Sequence, residues 1–437
     1  MKISVIGCGY LGAVHAASMA ELGHQVLGID VDEAKVASLQ RGVAPFHEPG
    51  FDDLLVKNAQ RLYFTTDMAA AADAKVHFIA VGTPQSADGS ADMTYVNAAI
   101  EGLIPYLSPG DLVVGKSTVP VGTAQRLSES VVSSGAILMW NPEFLREGFA
   151  VEDTLSPDRL VYGLPEGESG DAALAILDSV YELILAKQTP RLVMNFATAE
   201  LVKVAANSFL ATKISFINAM AEIAEVTGAN VTELADAIGH DSRIGRRFLN
   251  AGIGFGGGCL PKDIRGFVAR AEELGVGQSL DFLRSVDAIN LRRRARVVDV
   301  VIEELGALAG KKIAVWGLAF KPDSDDIRDS PALDIVENLA RAGARVIAAD
   351  PQASGPARKR IEHAGLASSV TLTDDHHESA RGVDAIVVAT EWNVFCEEDP
   401  TAIAPLVSNK LVIDGRNTLD SKAWKAAGFT YRGMGRS

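Results

Sequence analysis

A strand, a glycine-rich turn and a helix open the chain, and this arrangement constrains the fold more than any other feature of the sequence. The apolar run "KISVI" leads into "GCGYLG", in which Gly7, Gly9 and Gly12 follow the pattern G-x-G-x-x-G. A helix then runs to Gly23, and the segment "HQVLGID" ends at Asp30. Apolar runs without alternation indicate strands that are buried on both faces. The sequence therefore predicts a β-α-β unit of a parallel sheet.

The same segment predicts a site for NAD. Glycines let the backbone approach a pyrophosphate, whose charge is stabilised at a helix N-terminus. Asp30 is the expected acceptor for a ribose 2′-hydroxyl and would repel a 2′-phosphate. Lys35 either helps to hold the adenosine end or is a solvated helix lysine. A structural glycine turn and a site for another nucleotide remain the alternatives. The cofactor contacts predicted in this segment are Gly7, Gly9, Tyr10, Leu11, Gly12, Asp30 and Lys35.

A second β-α-β layout occurs late in the chain. The segments "KKIAVWGLAF", "SPALDIVENLARAG" and "ARVIAAD" repeat the order and end at Asp350. The helix has Ser330 as its cap, Pro331 in its first turn and Gly343 at its end. Its glycine turn lacks the full fingerprint, so we expect a different nucleotide there and no second dinucleotide. The cations near these strand ends, which are alternatively surface charges or parts of a capping loop, are Lys321, Arg328 and Arg416.

The sequence between the two layouts is strongly helical, from about Thr198 to Arg296. The predicted fold class is α/β, with two Rossmann-like doubly wound parallel-sheet domains joined by a central helical domain with a long connecting helix. The predicted boundaries are 1–197 for the NAD-binding domain, 198–296 for the helical domain and 297–437 for the second sheet domain.

Composition excludes several classes of function. The 437 residues carry 41 basic and 56 acidic side chains, and a net charge of -15 argues against nucleic acid and anionic membranes as partners. No apolar stretch reaches the roughly 18 residues of a spanning helix, and the N-terminus fits strand, turn and helix better than a signal peptide. Three scattered cysteines fit a reducing compartment, so we expect a cytoplasmic protein. The histidines lack metal-ligand spacing, and even His376 and His377 resemble a solvated loop, so no metal site is predicted.

The segment "GFGGGCLPKD", residues 254–263, places Cys259 behind a run of glycines. Glycines allow a ligand to approach the backbone, and their amides can stabilise an oxyanion. Lys262 supplies a nearby cation that favours the nucleophilic thiolate, and Asp263 supplies a possible base. Cys8 and Cys396 lack this setting and are interpreted as small hydrophobic residues.

Further candidates depend on the fold to bring them to this site. Lys203 and Asn207 are spaced i, i+4 on one helix face, where the lysine either stabilises an oxyanion or is a surface residue. Glu143 and Glu147 of "NPEFLREG" have the same spacing if the segment is helical, and they either serve as general bases or favour a helix N-terminus. Thr118 of "KSTVPVGT" either orients a water or bonds the backbone of a turn.

Six motifs in this order resemble the UDP-glucose/GDP-mannose dehydrogenase family: "GCGYLG", "KSTVPVGT", "NPEFLREG", "ELVKVAANSFLATKISF", "GFGGGCLPKD" and "GLAFKPDSDDIRDSP". The likeness spans nearly the whole chain. It implies an N-terminal NAD domain, a helical centre that forms a homodimer, and a C-terminal domain for a UDP-sugar.

The resemblance also implies a four-electron oxidation of a primary alcohol with two molecules of NAD. Cys259 would capture the aldehyde as a thiohemiacetal, and a second oxidation would give a thioester that water cleaves. Lys203 and Asn207 would stabilise oxyanions, and three residues would support water and proton transfers, namely Thr118, Glu143 and Asp263. Further implied cofactor contacts are Thr83, Thr118, Glu147, Lys262 and Arg328. The implied substrate contacts are Glu143, Phe144, Leu145, Lys203, Asn207, Arg243, Phe248, Leu249, Asn250, Gly252, Gly256, Lys321 and Arg416.

Finer signals concern the substrate. The loop after the cysteine and the segment "NSFLATKISF" differ from those typical of hexosamine and GDP-mannose enzymes, which favours UDP-glucose as the substrate. Gly258 stands where many relatives carry serine, a mild loosening of the loop. The competing hypotheses are the same chemistry on another nucleotide sugar, a two-electron hydroxyacid dehydrogenase, and a nucleotide-sugar-binding protein without catalysis.

Overall fold

Short runs rich in valine, isoleucine and leucine form the strands, as β-branched and apolar residues favour a sheet that is covered on both faces. The computed structural model describes residues 1–436. It contains two compact units, Met1–Ala206 with Arg265–Gly277, and Asn207–Ile264 with the chain from Gln278 onward. The predicted division at residues 197 and 296 stays a prediction.

The sheet of the first unit has the strand order β3-β2-β1-β4-β5-β6-β7-β8. Its pairs are parallel except β6 with β7, which meet antiparallel at Trp140 and Gly163. The chain order reverses between β1 and β4, which is where open parallel sheets bind ligands. The strands are β1 (Lys2–Ile6), β2 (Gln25–Ile29), β3 (Leu62–Thr65), β4 (Val76–Ile79), β5 (Leu112–Gly115), β6 (Ile137–Trp140), β7 (Leu160–Leu164) and β8 (Arg191–Asn195).

Helices cover both faces of this sheet, and apolar side chains fill the layer on each side. The helices that begin in this part of the chain are α1 (Tyr10–Glu21), α2 (Glu33–Gln40), α3 (Phe51–Lys57), α4 (Thr94–Leu103), α5 (Thr123–Val132), α6 (Ala150–Leu155), α7 (Glu168–Val180), α8 (Glu182–Leu185) and α9 (Phe196–Thr227). Helix α9 has 32 residues and crosses from the first unit into the second.

The sheet of the second unit repeats the topology, with the order β11-β10-β9-β12-β13-β14 and parallel pairs throughout. The fold class predicted from the two β-α-β layouts is thereby confirmed. The strands are β9 (Lys312–Trp316), β10 (Arg345–Ala349), β11 (Val370–Thr373), β12 (Ala385–Val388), β13 (Leu411–Asp414) and β14 (Thr430–Gly433).

The remaining helices include the predicted helix of the second layout. Ser330 caps it by accepting from the Leu333 amide, Pro331 is its first residue, and Gly343 beyond its end has a φ of +94°. These helices are α10 (Val231–Gly239), α11 (Leu260–Glu273), α12 (Asp281–Leu305), α13 (Pro331–Arg341), α14 (Ser354–His363), α15 (His376–Ser379), α16 (Asn393–Cys396), α17 (Pro400–Ile403) and α18 (Ser421–Ala426). Short 3₁₀ turns lie at Met68–Asp73, Ile104–Tyr106 and Gly277–Leu280. Within residues 1–436, no helix combines the length and the apolar character that a bilayer crossing requires.

Candidate active site

The turn between β1 and α1 has the shape that a dinucleotide site requires. Gly7 has a φ of +91°, a conformation that residues with a side chain rarely adopt. A Cβ on Gly12 would lie 1.7 Å from the carbonyl oxygen of Gly7, so glycine alone lets the helix start this close to the strand. A Cβ on Gly9 would meet no protein atom within 4 Å. The open space beside Gly9, at the start of α1, therefore fits an approaching pyrophosphate.

Asp30 follows β2 and is held beside this turn. Its carboxylate accepts from the Cys8 amide at 2.7 Å and forms an ion pair of 3.0 Å with the Lys35 ammonium. The Asp32 amide donates to the other carboxylate oxygen at 3.0 Å. These three donors orient the carboxylate and leave one lone pair for a ribose hydroxyl. The predicted roles of Asp30 and Lys35 thus fit the local geometry.

Asp350 is the counterpart of Asp30 in the second sheet, and its surroundings differ. It is fully buried, and its two oxygens accept from the backbone amides of Leu318, Ala319, Gln352 and Ala353. The Trp392 indole donates a further bond of 3.1 Å. Its bonding capacity is therefore used within the protein, which agrees with the expectation that this turn holds no second dinucleotide.

Tyr10 links the glycine turn to the segment that carries Glu147. Its hydroxyl donates to the buried Glu48 carboxylate, which also accepts from the amides of Gly148 and Ala150 at 2.7 Å each. Burial, followed by the bond to Glu48, raises the pKa of Tyr10 well above its ordinary value, so the phenol stays a donor. Sequence analysis missed Glu48, because an acid in a loop carries no signal of such a role. The other predicted residue of this turn, Leu11, packs against the core of the unit.

Glu143 is paired with a buried lysine that the sequence analysis also missed. The Lys116 ammonium lies 3.0 Å from the Glu143 carboxylate and donates to the Asn141 amide oxygen at 3.0 Å. Glu143 also accepts from the amides of Phe144 and Leu145. The sequence signal for Lys116 was its position directly after the run "DLVVG", where a strand end would hold it at the edge of the sheet. The pairing places the Glu143 carboxylate beside a buried ammonium in the segment that follows β6.

The conditional helix at "NPEFLREG" does not form. Residues 141–146 have no regular structure and residues 147–149 form a turn and a bend, so Glu143 and Glu147 do not share a helix face. Tyr10 and Glu48 hold the later part of this segment as irregular backbone. The Phe144 ring faces α9, where its centroid lies 5.5 Å from the Lys203 ammonium. The structure therefore places Phe144 close to Lys203. Their role as substrate contacts stays a prediction.

Thr83 and Thr118 lie beyond neighbouring strands and are joined by a hydrogen bond. The Thr83 hydroxyl donates to the Thr118 carbonyl at 2.9 Å, and the adjacent Ser117 hydroxyl donates to the Val81 carbonyl at 2.7 Å. These bonds fix the loops that follow β4 and β5. Both predicted cofactor contacts thus lie at the carboxyl edge of the first sheet, where ligands of such sheets bind.

The three cysteines differ in accessibility. Cys8 is wholly buried, and burial together with the Asp30 carboxylate raises the pKa of its thiol far above the ordinary value. Burial also raises the pKa of Cys396. Both shifts oppose thiolate formation and agree with the interpretation of these residues as small hydrophobic side chains. Cys259 is exposed to solvent, so its sulfur can meet a substrate.

Cys259 stands directly before α11, and its carbonyl accepts from the Asp263 amide at 2.9 Å as the helix begins. The buried Asp263 carboxylate accepts from the Asn207 side chain at 2.6 Å and pairs with the Lys262 ammonium at 2.8 Å. Four of the predicted residues are therefore grouped in the second unit. Cys259 lies at the N-terminus of α11, where the helix dipole favours negative charge.

The glycines before Cys259 are required by the packing of the loop on its own unit. A Cβ at each of four positions would overlap a neighbouring group by approaching to 2.7 Å or less. The overlapped groups are the Asn290 amide oxygen for Gly254, the Asp329 carbonyl for Gly256, the Phe320 ring for Gly257 and the Arg328 guanidinium for Gly258. Gly258 thus makes room for Arg328, which a serine would have to displace. Close approach of a ligand to these glycines stays a prediction.

Helix α12 fixes the same loop through polar side chains that the sequence analysis treated only as helical residues. Asn290 accepts from the Phe255 amide at 2.7 Å and donates to the Phe255 carbonyl at 2.9 Å. Arg294 donates to that carbonyl, and Arg293 donates to the carbonyl of Gly252. Asn290, Arg293 and Arg294 of "AINLRRRA" are buried. Buried polar residues need hydrogen-bond partners, and the loop before Cys259 supplies them.

Arg416 follows β13 and joins three loops. Its guanidinium donates to the carbonyls of Ala389 at 2.8 Å, Gly254 at 3.0 Å and Phe320 at 3.1 Å. The Glu391 carboxylate lies 3.1 Å from its Nε. The predicted substrate arginine therefore contacts the loop that leads to Cys259.

Two further predicted cations lie on the 317–330 segment. The Lys321 ammonium is 5.4 Å from the centroid of the Phe320 ring. Arg328 forms an ion pair of 2.7 Å with Asp326, and its carbonyl accepts from the Gly257 amide. This segment therefore packs on the glycine loop of the same unit.

The predicted residues between Arg243 and Gly252 differ in burial and in their partners. Leu249 is buried in a small apolar core, and Gly252 donates its amide to Asn218 at 2.8 Å. Arg243 is exposed and paired with Asp241. Phe248 has a φ of +66°, and Asn250 accepts from Arg246. A Cβ on Gly252 would lie 2.6 Å from the Gly415 carbonyl, so Gly252 is brought to the Arg416 loop.

The prediction of a solvated loop at His376 and His377 is wrong. Both residues begin α15, and His376 is buried against the Trp316 and Phe395 rings. Both imidazoles contact the Glu398 carboxylate. The contact was hidden in the sequence because Glu398 lies about twenty residues further along the chain.

Three segments match domains of one family. Residues 1–185 match the NAD binding domain, 197–292 the central domain and 314–421 the UDP binding domain of the UDP-glucose/GDP-mannose dehydrogenase family. The first match confirms NAD as the predicted cofactor.

Curated and solved relatives are similar over the full length. The chain is 42% identical to the UDP-glucose 6-dehydrogenase of Rhizobium meliloti, with 100% of both chains covered. It is 41% identical to that of Pseudomonas aeruginosa, covering 100% of this chain and 98% of the relative. A solved UDP-glucose dehydrogenase from Pyrobaculum islandicum has a TM-score of 0.90 at 37% identity and covers 100% of this chain and 98% of its own.

Proposed function

Because the chain belongs to the UDP-glucose/GDP-mannose dehydrogenase family, we propose that it oxidises C6 of UDP-glucose to the carboxylate, with Cys259 as the covalent nucleophile. The overall reaction consumes one sugar nucleotide, two NAD⁺ and one water, and it yields UDP-glucuronate, two NADH and three protons. The exposed thiol of Cys259 at the start of α11 is the single observation that carries the proposal. The high identity to curated UDP-glucose 6-dehydrogenases supports the substrate.

The first oxidation converts the C6 alcohol to an aldehyde. Bound NAD⁺ would supply the hydride acceptor for C6 in both oxidations. The O6 proton passes to a base, and the Lys203 ammonium stabilises the negative charge on O6 as the proton leaves. Asn207 donates to the Asp263 carboxylate and thereby fixes the orientation of both side chains.

The thiol makes the second oxidation feasible. The Cys259 sulfur adds to C6 of the aldehyde, and O6 takes a proton, which gives a thiohemiacetal. Loss of a hydride from C6 and a proton from O6 then gives a thioester. Water adds to the thioester carbon, the C–S bond breaks, and the thiol is regenerated with the carboxylate product. Thr118, Glu143 and Asp263 are the proposed groups for holding this water and accepting its proton.

Nucleotide and sugar recognition is assigned to the remaining predicted residues. Arg416 and Lys321 supply cations on the loops beyond β13 and β9, which suits a diphosphate in a protein with a net charge of -15. The stretch from Phe248 to Gly252 and Gly256 are proposed to offer backbone groups for the sugar and the nucleotide. Thr83, Glu147, Lys262 and Arg328 are proposed cofactor contacts.

The stoichiometry tests the proposal. Complete conversion of a limiting amount of UDP-glucose should give two NADH per sugar, and GDP-mannose or UDP-N-acetylhexosamines should give much lower rates. A ratio of one NADH per sugar would indicate a two-electron dehydrogenase and refute the proposal. Absence of any NADH would indicate a binding protein.

The Cys259→Ser variant should reduce kcat by more than about 1,000-fold and leave binding of UDP-glucose intact, because a hydroxyl is a far weaker nucleophile near neutral pH. Cys396→Ser is the matched control and should retain activity. Turnover of Cys259→Ser at the wild-type rate would exclude covalent catalysis by this residue.

We also propose a homodimer formed through α9 and a cytoplasmic location. Phe209, Phe216 and Ile223 are 67%, 49% and 53% exposed, and their spacing of seven residues puts them on one helix face. An exposed apolar stripe of this kind favours association with a second copy. The free thiols fit a reducing compartment.

A further inference from the structure

Two imidazoles and a carboxylate converge in the second unit, and none of the three belongs to the residues of the proposed reaction. The Nε2 atoms of His376 and His377 lie 2.5 and 2.7 Å from the same oxygen of Glu398. The three ligand atoms are within 4.8 Å of one another, and within residues 1–436 no other His, Cys, Asp or Glu cluster of three has this property. We propose that His376, His377 and Glu398 form a binding site for Zn²⁺.

The local structure holds these donors in place. Asp375 caps α15 by accepting from the amides of His377 and Glu378, which fixes the backbone of both histidines. The His376 ring packs at 5.1 Å from Trp316 and 5.3 Å from Phe395. Glu398 immediately precedes the cap of α17, where Asp399 accepts from the Thr401 amide. Each ligand is therefore anchored independently of a metal, which lowers the entropy cost of binding.

The donor set suits zinc. Two imidazole nitrogens and a carboxylate oxygen are ligands that Zn²⁺ prefers, and three protein ligands leave a fourth position for water. Calcium and magnesium prefer oxygen ligands, so they fit less well. Tetrahedral zinc with bonds of about 2.0–2.1 Å needs donors about 3.3 Å apart. Both nitrogen–oxygen distances are shorter than this, so the His377 ring and the Glu398 carboxylate must each withdraw slightly. The His377 side chain is 40% exposed and can make this movement, and its exposure also gives the ion an entry path.

The test uses the full-length protein after chelation and dialysis, titrated with ZnCl₂ in a calorimeter. Wild type should bind one Zn²⁺ per chain at this site, and His377→Ala and Glu398→Gln should weaken binding by at least about 100-fold. His363→Ala, an exposed histidine on α14, is the matched control and should bind as wild type does. His377 is chosen over His376 because its exposed ring contributes less to the core.

Two further readouts make the result decisive. Cys259→Ser should retain the site, because the proposal is independent of the catalytic thiol. Zinc should raise the melting temperature of wild type and leave that of His377→Ala unchanged, since binding to the folded state alone stabilises it. The proposal is overturned if wild type binds no zinc, if His377→Ala and Glu398→Gln bind as tightly as wild type, or if Cys259→Ser abolishes binding.

Discussion

Gly9 and Gly12 belong to one motif, yet the absence of a side chain serves different purposes at the two positions. At Gly12 a methyl group would strike the carbonyl of Gly7, which makes this glycine a requirement of folding. At Gly9 a methyl group would enter open space. The structure thus separates a residue needed for the fold from one that leaves room for the cofactor.

Gly9→Ala should therefore fold normally and bind NAD poorly. The φ of Gly9 is -68°, which alanine adopts readily, and we expect a loss of stability below about 1 kcal/mol. The added methyl group should weaken NAD binding by at least tenfold, or about 1.4 kcal/mol. Gly355→Ala, which also meets no neighbour within 4 Å, is the control. A fluorescence titration with NADH measures cofactor binding. Equal NADH affinities of Gly9→Ala and Gly355→Ala would show that Gly9 does not face the cofactor.

The residues that could be predicted are those whose role is encoded in their sequence neighbours. Asp30 closes a strand after the glycine turn, and Cys259 follows its glycines, so each carries a local signal. Lys116 and Glu48 act through partners 27 and 100 residues away. Such contacts arise from the packing of loops at a sheet edge, and no local pattern specifies them.

At the scale of elements, the N-terminus of α5 depends on a buried acid from α9. The Glu200 carboxylate accepts from the amides of Gly122 and Ala124 at 2.7 Å each. Burial raises the pKa of Glu200 above its ordinary value, although these amides and Arg270 oppose the shift. Folding therefore favours the protonated acid relative to the unfolded chain.

This shift predicts a pH dependence of stability. The contribution of Glu200 is fully present below its unfolded pKa and is lost as the pH rises through the higher folded pKa. Gln cannot ionise. The free energy of unfolding of Glu200→Gln minus that of wild type should therefore increase from about pH 4 to pH 7. Denaturant titrations at several pH values measure this difference, and Glu129→Gln, at an exposed position on α5, controls for lost charge. A difference that falls with pH would contradict the inferred shift.

Elements with complete terminal signals were predictable, and those held by distant contacts were not. Helix α13 has its cap, proline and terminal glycine in the sequence, and it forms as expected. The segment "NPEFLREG" has helical spacing of its acids but stays irregular, and its last amide, that of Gly148, donates to Glu48 instead of to a helix carbonyl. Helix α15 was missed because its burial depends on Trp316 and Phe395.

For the whole molecule, the fold class followed from the sequence because uninterrupted apolar strands and a repeated β-α-β order leave few topologies. The antiparallel contact of β6 with β7 was not foreseen, since the direction in which a strand joins a sheet depends on the connection that precedes it. Association of chains is a further property at this scale, and the exposed stripe on α9 makes it testable.

Phe216→Glu should weaken the proposed dimer. Burying one phenylalanine contributes about 1.5–3 kcal/mol, so its replacement by a charged residue should raise the dimer dissociation constant by at least tenfold. Sedimentation velocity over a range of concentrations measures the change. Val132→Glu, at an exposed apolar position on α5, is the control. A wild-type protein that stays monomeric, or a variant that dimerises equally well, would remove α9 as the interface.

The position of Arg416 has a thermodynamic consequence for ligand recognition. Three carbonyls already immobilise its guanidinium, and they use three of its five N–H groups. A free arginine side chain loses up to about 2 kcal/mol of rotamer entropy when a ligand orders it. Arg416 has undergone that loss during folding, so the N–H groups that remain can meet an anion from a rigid frame, with little further ordering.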